Sequence, residues 1–211
     1  MKRLLPECLF EAENLLHHSI IQSITNNSHK YFSVNLLFQN LRLNPIIYRL
    51  FEYLKNRNIE AYILYADEGS TALAKRDFPN LVESIFSYNR FEKDLPTLTN
   101  KNVVIAVSPQ PYDFEQFKKI CESFEGKIIM FNGKLEDTAV GIGNVGRERR
   151  KDFIFSWEKI FWLQPLSNGA IMKLYGAKWE LFALDEDGYR YNNSFENKPD
   201  EETILESIQT N

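Results

Sequence analysis

The chain has 211 residues, 44% of them hydrophobic, 14% aromatic and 26% charged, with a formal net charge of −4. That length buries a core without disulfide or metal staples, and that composition excludes wholesale disorder. The acidic balance argues against a dedicated nucleic-acid binder, which carries a basic surplus.

Met1-Lys2-Arg3-Leu4-Leu5 opens like a signal peptide, but Pro6 and Glu7 interrupt the apolar run before an h-region forms. No stretch approaches the roughly 20 apolar residues of a membrane-spanning helix. The chain is therefore expected to be soluble, without a transmembrane segment, and to stay in the compartment where it is made. Pro6 suits the first turn of a helix, which Leu9, Ala12, Leu16 and Ile20 continue at helical spacing to about Ile24. His17 and His18 are adjacent on it, point about 100° apart and are read as surface residues rather than one metal grip. Cys8 and Cys121 lie far apart with no Cys/His cluster around them and are expected as reduced thiols.

Tyr31 to Phe38 is β-branched and aromatic, a first strand. Asn44-Pro45 opens a helix whose apolar face is Ile46, Ile47, Leu50, Phe51 and Leu54. Ala61 to Tyr65 is a second strand, ending at Asp67, and Gly69 to Asp77 a short helix closed by Pro79. Leu81 to Phe86 is expected as a further strand and Lys93 to Asn100 as a loop. Val103 to Val107 is continuously apolar, the pattern of a strand buried on both faces. Asp113 with Gln116 has the spacing of a capping box opening a helix to about Phe124, and Lys127 to Phe131 is the next strand.

After Asp152 the pattern changes. Lys159–Leu166, Ala170–Tyr175, Trp179–Leu184 and Tyr189–Ser194 are strand-like and joined by short Gly-containing turns, the signature of antiparallel hairpins. A last helix is expected near Glu201 to Ile208. The sequence thus implies one α/β domain over residues 1–211: a partly parallel, Rossmann-like sheet with flanking helices over 1–150, continued by an antiparallel meander and a last helix over 151–211.

In open parallel sheets, ligands sit beyond the carboxyl ends of the strands. The polar residues there are Asp67, Ser108, Gln110 and Asn132. They either line a small polar pocket or simply make the turns and caps that follow strands. Gly141-Ile142-Gly143-Asn144-Val145-Gly146 fits GxGxxG, but it follows the fourth strand and no βαβ unit comes after it, so the dinucleotide reading fails. Gly141 and Gly143 can still bring backbone N–H groups to an anionic small molecule, with Arg147 and Arg150 supplying charge. The plainer reading is a flexible loop whose arginines pair with carboxylates. No nucleophile, base and orienter stand together, no metal-ligand spacing is present, and the sequence specifies no cofactor. Phe153, Phe155, Trp157, Phe161, Trp162, Tyr175 and Trp179 read as sheet core before they read as a binding face.

Several stretches resemble a cyanobacterial and chloroplast family, domain of unknown function 1995. They are Asp67-Glu68-Gly69-Ser70-Thr71-Ala72-Leu73-Ala74-Lys75-Arg76-Asp77-Phe78, then Val107-Ser108-Pro109-Gln110, then Gly141-Ile142-Gly143 followed by Arg147-Glu148-Arg149-Arg150 and Phe153. Phe161-Trp162-Leu163-Gln164-Pro165-Leu166 follows, with Gly169-Ala170, Lys178-Trp179-Glu180 and a final Lys198-Pro199. With Leu5-Pro6 near the start, the resemblance runs through almost the whole chain. Phe78 and Asn132-Gly133 stand where the family prefers Trp and Asn-Pro. The family includes a chloroplast factor whose loss lowers photosystem II accumulation. The resemblance therefore implies an oxygenic phototroph, its cytoplasm or plastid stroma, the thylakoid surface, and a photosynthetic membrane protein or assembly factor as partner. It carries no catalytic residues over. Two functions follow as expectations: a non-catalytic accessory or assembly factor acting by protein binding, or a domain binding a nucleotide or other anion at the strand-end rim and the Gly-Arg segment.

Overall fold

The computed structural model describes residues 4–26, 29–94, 101–135 and 144–209. In chain order its elements are α1 (Leu9–Asn26), β1 (Tyr31–Leu36), α2 (Leu43–Lys55), β2 (Ala61–Tyr65), α3 (Glu68–Asp77), β3 (Ile85–Ser87), α4 (Tyr88–Asp94) and β4 (Val103–Val107). They continue with α5 (Phe114–Ser123), β5 (Lys127–Phe131), α6 (Asn144–Phe155), β6 (Glu158–Leu166), β7 (Gly169–Leu174), β8 (Trp179–Asp185), β9 (Gly188–Phe195) and α7 (Glu201–Gln209). Contacts divide the chain into two compact units. One is Ser28–Val34 with Arg42–Glu158; the other is Met1–Asn27, Asn35–Leu41 and Lys159–Asn211. Each is described by itself.

The first unit is a parallel sheet in the order β3-β2-β4-β5-β1. β4 lies in its middle and every one of its residues is buried, which is why its sequence is a continuous apolar run rather than an alternating one. The crossovers through α2 and α3 run toward the β3 edge and the one through α5 runs the other way. Right-handed connections then place α5 on the face opposite α2 and α3. On the α5 face, Leu64, Val104, Ala106, Ile128 and Met130 form one cluster with residues of α4, α5 and α6. Its centre is a stack of rings: Tyr88 on Phe117 (5.7 Å), Phe117 on Trp157 (5.6 Å) and Trp157 on Tyr31 (5.1 Å). Phe153 meets Phe114, Phe117 and Trp157 edge-on. On the other side, α2 buries Ile46, Ile47, Leu50, Phe51 and Leu54, the face its periodicity predicts, and its Tyr48 stacks on Phe78 at 4.7 Å.

Three local expectations change. Leu81–Phe86 is mostly a 3-10 turn, Pro79–Ser84, because Pro79 presets a turn-type φ; the strand is delayed to Ile85–Ser87 and becomes a fifth parallel strand. Tyr88–Asp94 is helix, so the helix extends into the start of the expected 93–100 loop, while 95–100 lie outside the described residues. Residues 144–155 are helical rather than a loop, as good helix formers such as Arg147, Glu148 and Arg150 allow despite Gly146.

The second unit carries the antiparallel meander β6-β7-β8-β9. Gly176 (φ 71°) and Gly188 (φ 122°) take the left-handed conformations its turns require. α7 packs through Ile204 and Ile208 on Trp162, Ile171, Trp179 and Leu181, and α1 packs against β7. His17 is buried, not a surface residue: with Glu13 it lies on the same α1 face as Leu16 and Ile20. His18 is exposed. Cys8 is exposed and Cys121 buried, both as free thiols. Among the described residues no helix is long and apolar enough to cross a membrane.

Phe117 is fully buried between two stacked partners. Phe117→Ala is expected to destabilise the parallel unit by about 3–5 kcal/mol, the usual cost of opening a cavity of that size. Urea unfolding followed by tryptophan fluorescence measures it through Trp157, which the same cavity would expose.

Candidate functional site

β2 sends its chain toward β3 and the neighbouring β4 sends its chain toward β5. The crevice between their carboxyl ends is therefore the topological switch point of the sheet, the place where such folds take ligands. Asp67 follows β2, Ser87 ends β3, Ser108 and Gln110 follow β4, and Asn132 follows β5. Neighbouring strands stand about 4.8 Å apart, so the ends of β2 and β5, with β4 between them, are roughly 10 Å apart. The four strand-end residues read from the sequence thus share one rim, and Ser87 joins them.

Their polar atoms are largely engaged. Asp67 is the N-cap of α3: its Oδ1 accepts from Ser70 N at 2.8 Å and its Oδ2 from Ser70 Oγ at 2.8 Å. These hydrogen bonds hold its carboxyl below the ordinary 3.8. Ser87 Oγ donates to Glu68 Oε1. Gln110 Nε2 donates to Ser108 O at 2.8 Å, and Gln110 N donates to Asp113 Oδ2 at 2.9 Å. Asp113 thus closes the 3-10 turn Pro111–Asp113 behind it and makes no forward side-chain cap to α5. Gln116, its expected capping partner, instead donates to Asn89 Oδ1 at 2.7 Å. Burial raises the carboxyl of Asp113, the Gln110 N–H opposes that, and the charge of Asp67 adds to it.

Two rim positions are left-handed, as Asn40 and Asn58 are elsewhere. Ser108 (φ 49°) and Asn132 (φ 50°) are both left-handed, on adjacent strands, a conformation that costs a non-glycine residue about 1–2 kcal/mol. Their N–H groups are used, by Phe131 O and Val34 O respectively, each at 2.8 Å. Ser108 Oγ has no hydrogen-bond partner among the described residues. At Gly133, a Cβ would come within 2.4 Å of Met130 Sδ, so this chain fills with a methionine the space that a proline at 133 would need.

Arg150 reaches this end of the sheet. Its guanidinium lies 4.6 Å from the ring centroid of Phe114, the first residue of α5. Arg147 falls in α6, with its side chain outside the described residues, as are Gly141 and Gly143 altogether. Glu68, Ser87 and Asp113 are rim residues that the sequence reading does not single out as site candidates. Ser87 escaped because Pro79 displaces the strand that carries it, and Asp113 because its spacing to Gln116 imitates a cap. Two cavities among the described residues lie elsewhere: about 340 Å³ between the start of α1, Phe38 and Leu163, and about 320 Å³ at the amino end of β2 beside Glu60 and Asn80. Among the described residues no group of three His, Cys, Asp or Glu is placed to hold a metal.

A mixed α/β sheet with a parallel core, a switch-point rim and an antiparallel continuation defines the class. The particular family follows from its match: the chain belongs to the family described as Domain of unknown function (DUF1995), which matches residues 6–206, from before α1 into α7. No curated protein matches the chain.

The cap at Asp67 gives a pH-dependent test. Its folded-state pKa is depressed, so its stabilisation is complete above the ordinary carboxylate range and is lost as pH falls through the lowered folded value. Asp67→Ala is expected to cost about 1 kcal/mol at neutral pH, as cap removal does. The difference between the two proteins in urea unfolding should shrink as pH falls below the ordinary carboxylate range.

Proposed function

We propose that this protein is a non-catalytic accessory factor that acts by binding another protein, in the assembly of photosynthetic complexes at the thylakoid surface. The observation that carries this reading is how the strand-end rim is spent. Asp67 caps α3, Gln110 binds back to Ser108, and Asp113 binds Gln110. Groups held this way position the start of a helix rather than wait for a substrate, which favours a scaffold whose work is done by its surface. The class of partner, a photosynthetic membrane protein or another assembly factor, comes from the family resemblance. Gentle affinity purification of the tagged protein from a phototroph is expected to recover a photosystem or thylakoid component. Recovery of none, with the bait intact and folded, overturns the reading.

A second reading has one specific observation in its favour. Ser108 and Asn132 hold left-handed backbones side by side at the switch point, with no partner for the Ser108 hydroxyl among the described residues and Arg150 at the start of α5. Retained strain of this kind concentrates at ligand sites. The ligand would be a nucleotide or other anion, held by Ser108, Asn132, Gly141, Gly143, Arg147 and Arg150 beside Asp67 and Gln110. Binding to the native state must raise its melting temperature, so a thermal-shift panel of nucleotides and inorganic phosphate at millimolar concentration should show a rise. A flat response sinks it.

A further inference from the structure

The meander ends on β9, and among the described residues no strand pairs with its outer edge. Alternate backbone N–H and C=O groups of such an edge point away from the sheet and are available to another strand. The side chains beside it form an apolar strip. In the β8–β9 register, Phe182 faces Tyr191 and Leu184 faces Tyr189, so these four share one face. α7 covers the other face, through Leu181 and Trp179. Leu184 (48% exposed), Tyr189 (44%) and Tyr191 (41%) are accessible, whereas Phe182 is buried beneath Tyr191, with ring centroids 6.0 Å apart.

The charge around the strip selects the occupant. The β8–β9 turn beside the strip holds three carboxylates, Asp185, Glu186 and Asp187, against the single cation Arg190. Arg190 pairs with Asp185 and Asp187, each at 2.9 Å. The carboxylate of Glu186 has no ion pair among the described residues, so the turn stays net negative. A second copy of this chain would bring the same negative charge to the edge and be repelled, whereas a basic strand would be drawn in.

We propose that the outer edge of β9 binds an extended basic segment of a partner protein by strand addition. Backbone pairing with β9 supplies the hydrogen bonds, alternate apolar side chains of the segment lie on Leu184, Tyr189 and Tyr191, and its Lys or Arg residues meet the Asp185-Glu186-Asp187 turn. This rests on the protein-binding reading above and names the surface and partner chemistry for it.

The probe is a capped peptide of four Lys-Val repeats, at a concentration where it is monomeric alone. Controls are a Glu-Val peptide of the same length and a Lys-Val peptide interrupted by proline, which cannot pair. The Lys-Val peptide should bind at low ionic strength, weaken with salt, and slow hydrogen exchange at backbone amides of residues 188–195. Glu186→Lys reverses an unpaired charge and is expected to weaken binding about threefold to tenfold without changing the melting temperature. Equal binding of the control peptides overturns the proposal, as does binding that leaves 188–195 unprotected. Dimerisation of the protein through β9, seen by sedimentation and by protection of the same amides without peptide, also overturns it, because the occupant is then a second copy. If Glu186→Lys and a second edge variant, Tyr191→Pro, which removes an outward-facing N–H of β9, both still co-purify the thylakoid partner, the β9 edge falls while the protein-binding reading stands.

Discussion

The constraint on which the parallel unit depends is the complete burial of β4. A strand with no solvent-facing side must be covered by helices above and below, and right-handed crossovers supply both layers only if the chain reverses its direction along the sheet. The reversal falls between β2 and β4. One run of five apolar residues therefore decides where the crevice opens and which loops surround it. The aromatic stack Tyr88–Phe117–Trp157–Tyr31 follows from the same demand. Three helices and the sheet must meet over that face, and large flat side chains fill the space with few voids.

The rim that results is built mainly by mutual capping. Asp67, Gln110 and Asp113 serve backbone groups within three residues of themselves, and such local bonds fix how each chain segment leaves its strand. The left-handed turns at Ser108 and Asn132 do the same by conformation instead of hydrogen bonding.

Much of the fold is legible in the sequence because its signals are local. β2, β4 and β5 fall on the residues that their apolar runs mark, and α2 buries the five residues that its spacing selects. The hairpin glycines mark the turns of the meander. The misread parts depend on competition between signals. Pro79 overrides the strand propensity of Leu81 and Val82, α4 begins directly after β3 with the last strand residue, Ser87, as its cap through Arg90 N at 3.3 Å, and Gly146 disguises a helix as a loop. His17 was misplaced because α1 buries a face that includes Glu13 and Ser19 as well as its aliphatic residues. At the site, the rim positions were legible from strand ends alone. The engagement of their side chains was not, since Asp113 turns back to Gln110 instead of forward to Gln116, and only the three-dimensional turn decides between the two.

The last turn of α5 is finished by residues at the start of β1, the strand beside β5. Lys30 Nζ (2.7 Å) and Tyr31 Oη (3.0 Å) both donate to the carbonyl of Cys121, about ninety positions later in the chain. Burial holds the Tyr31 phenol at about 12, so it stays a donor well into the alkaline range. A helix end closed this way is complete only after β1 has taken its place beside β5. The chain must therefore bring together segments about ninety residues apart before that helix is secure, which ties the order of folding to topology rather than to helix propensity.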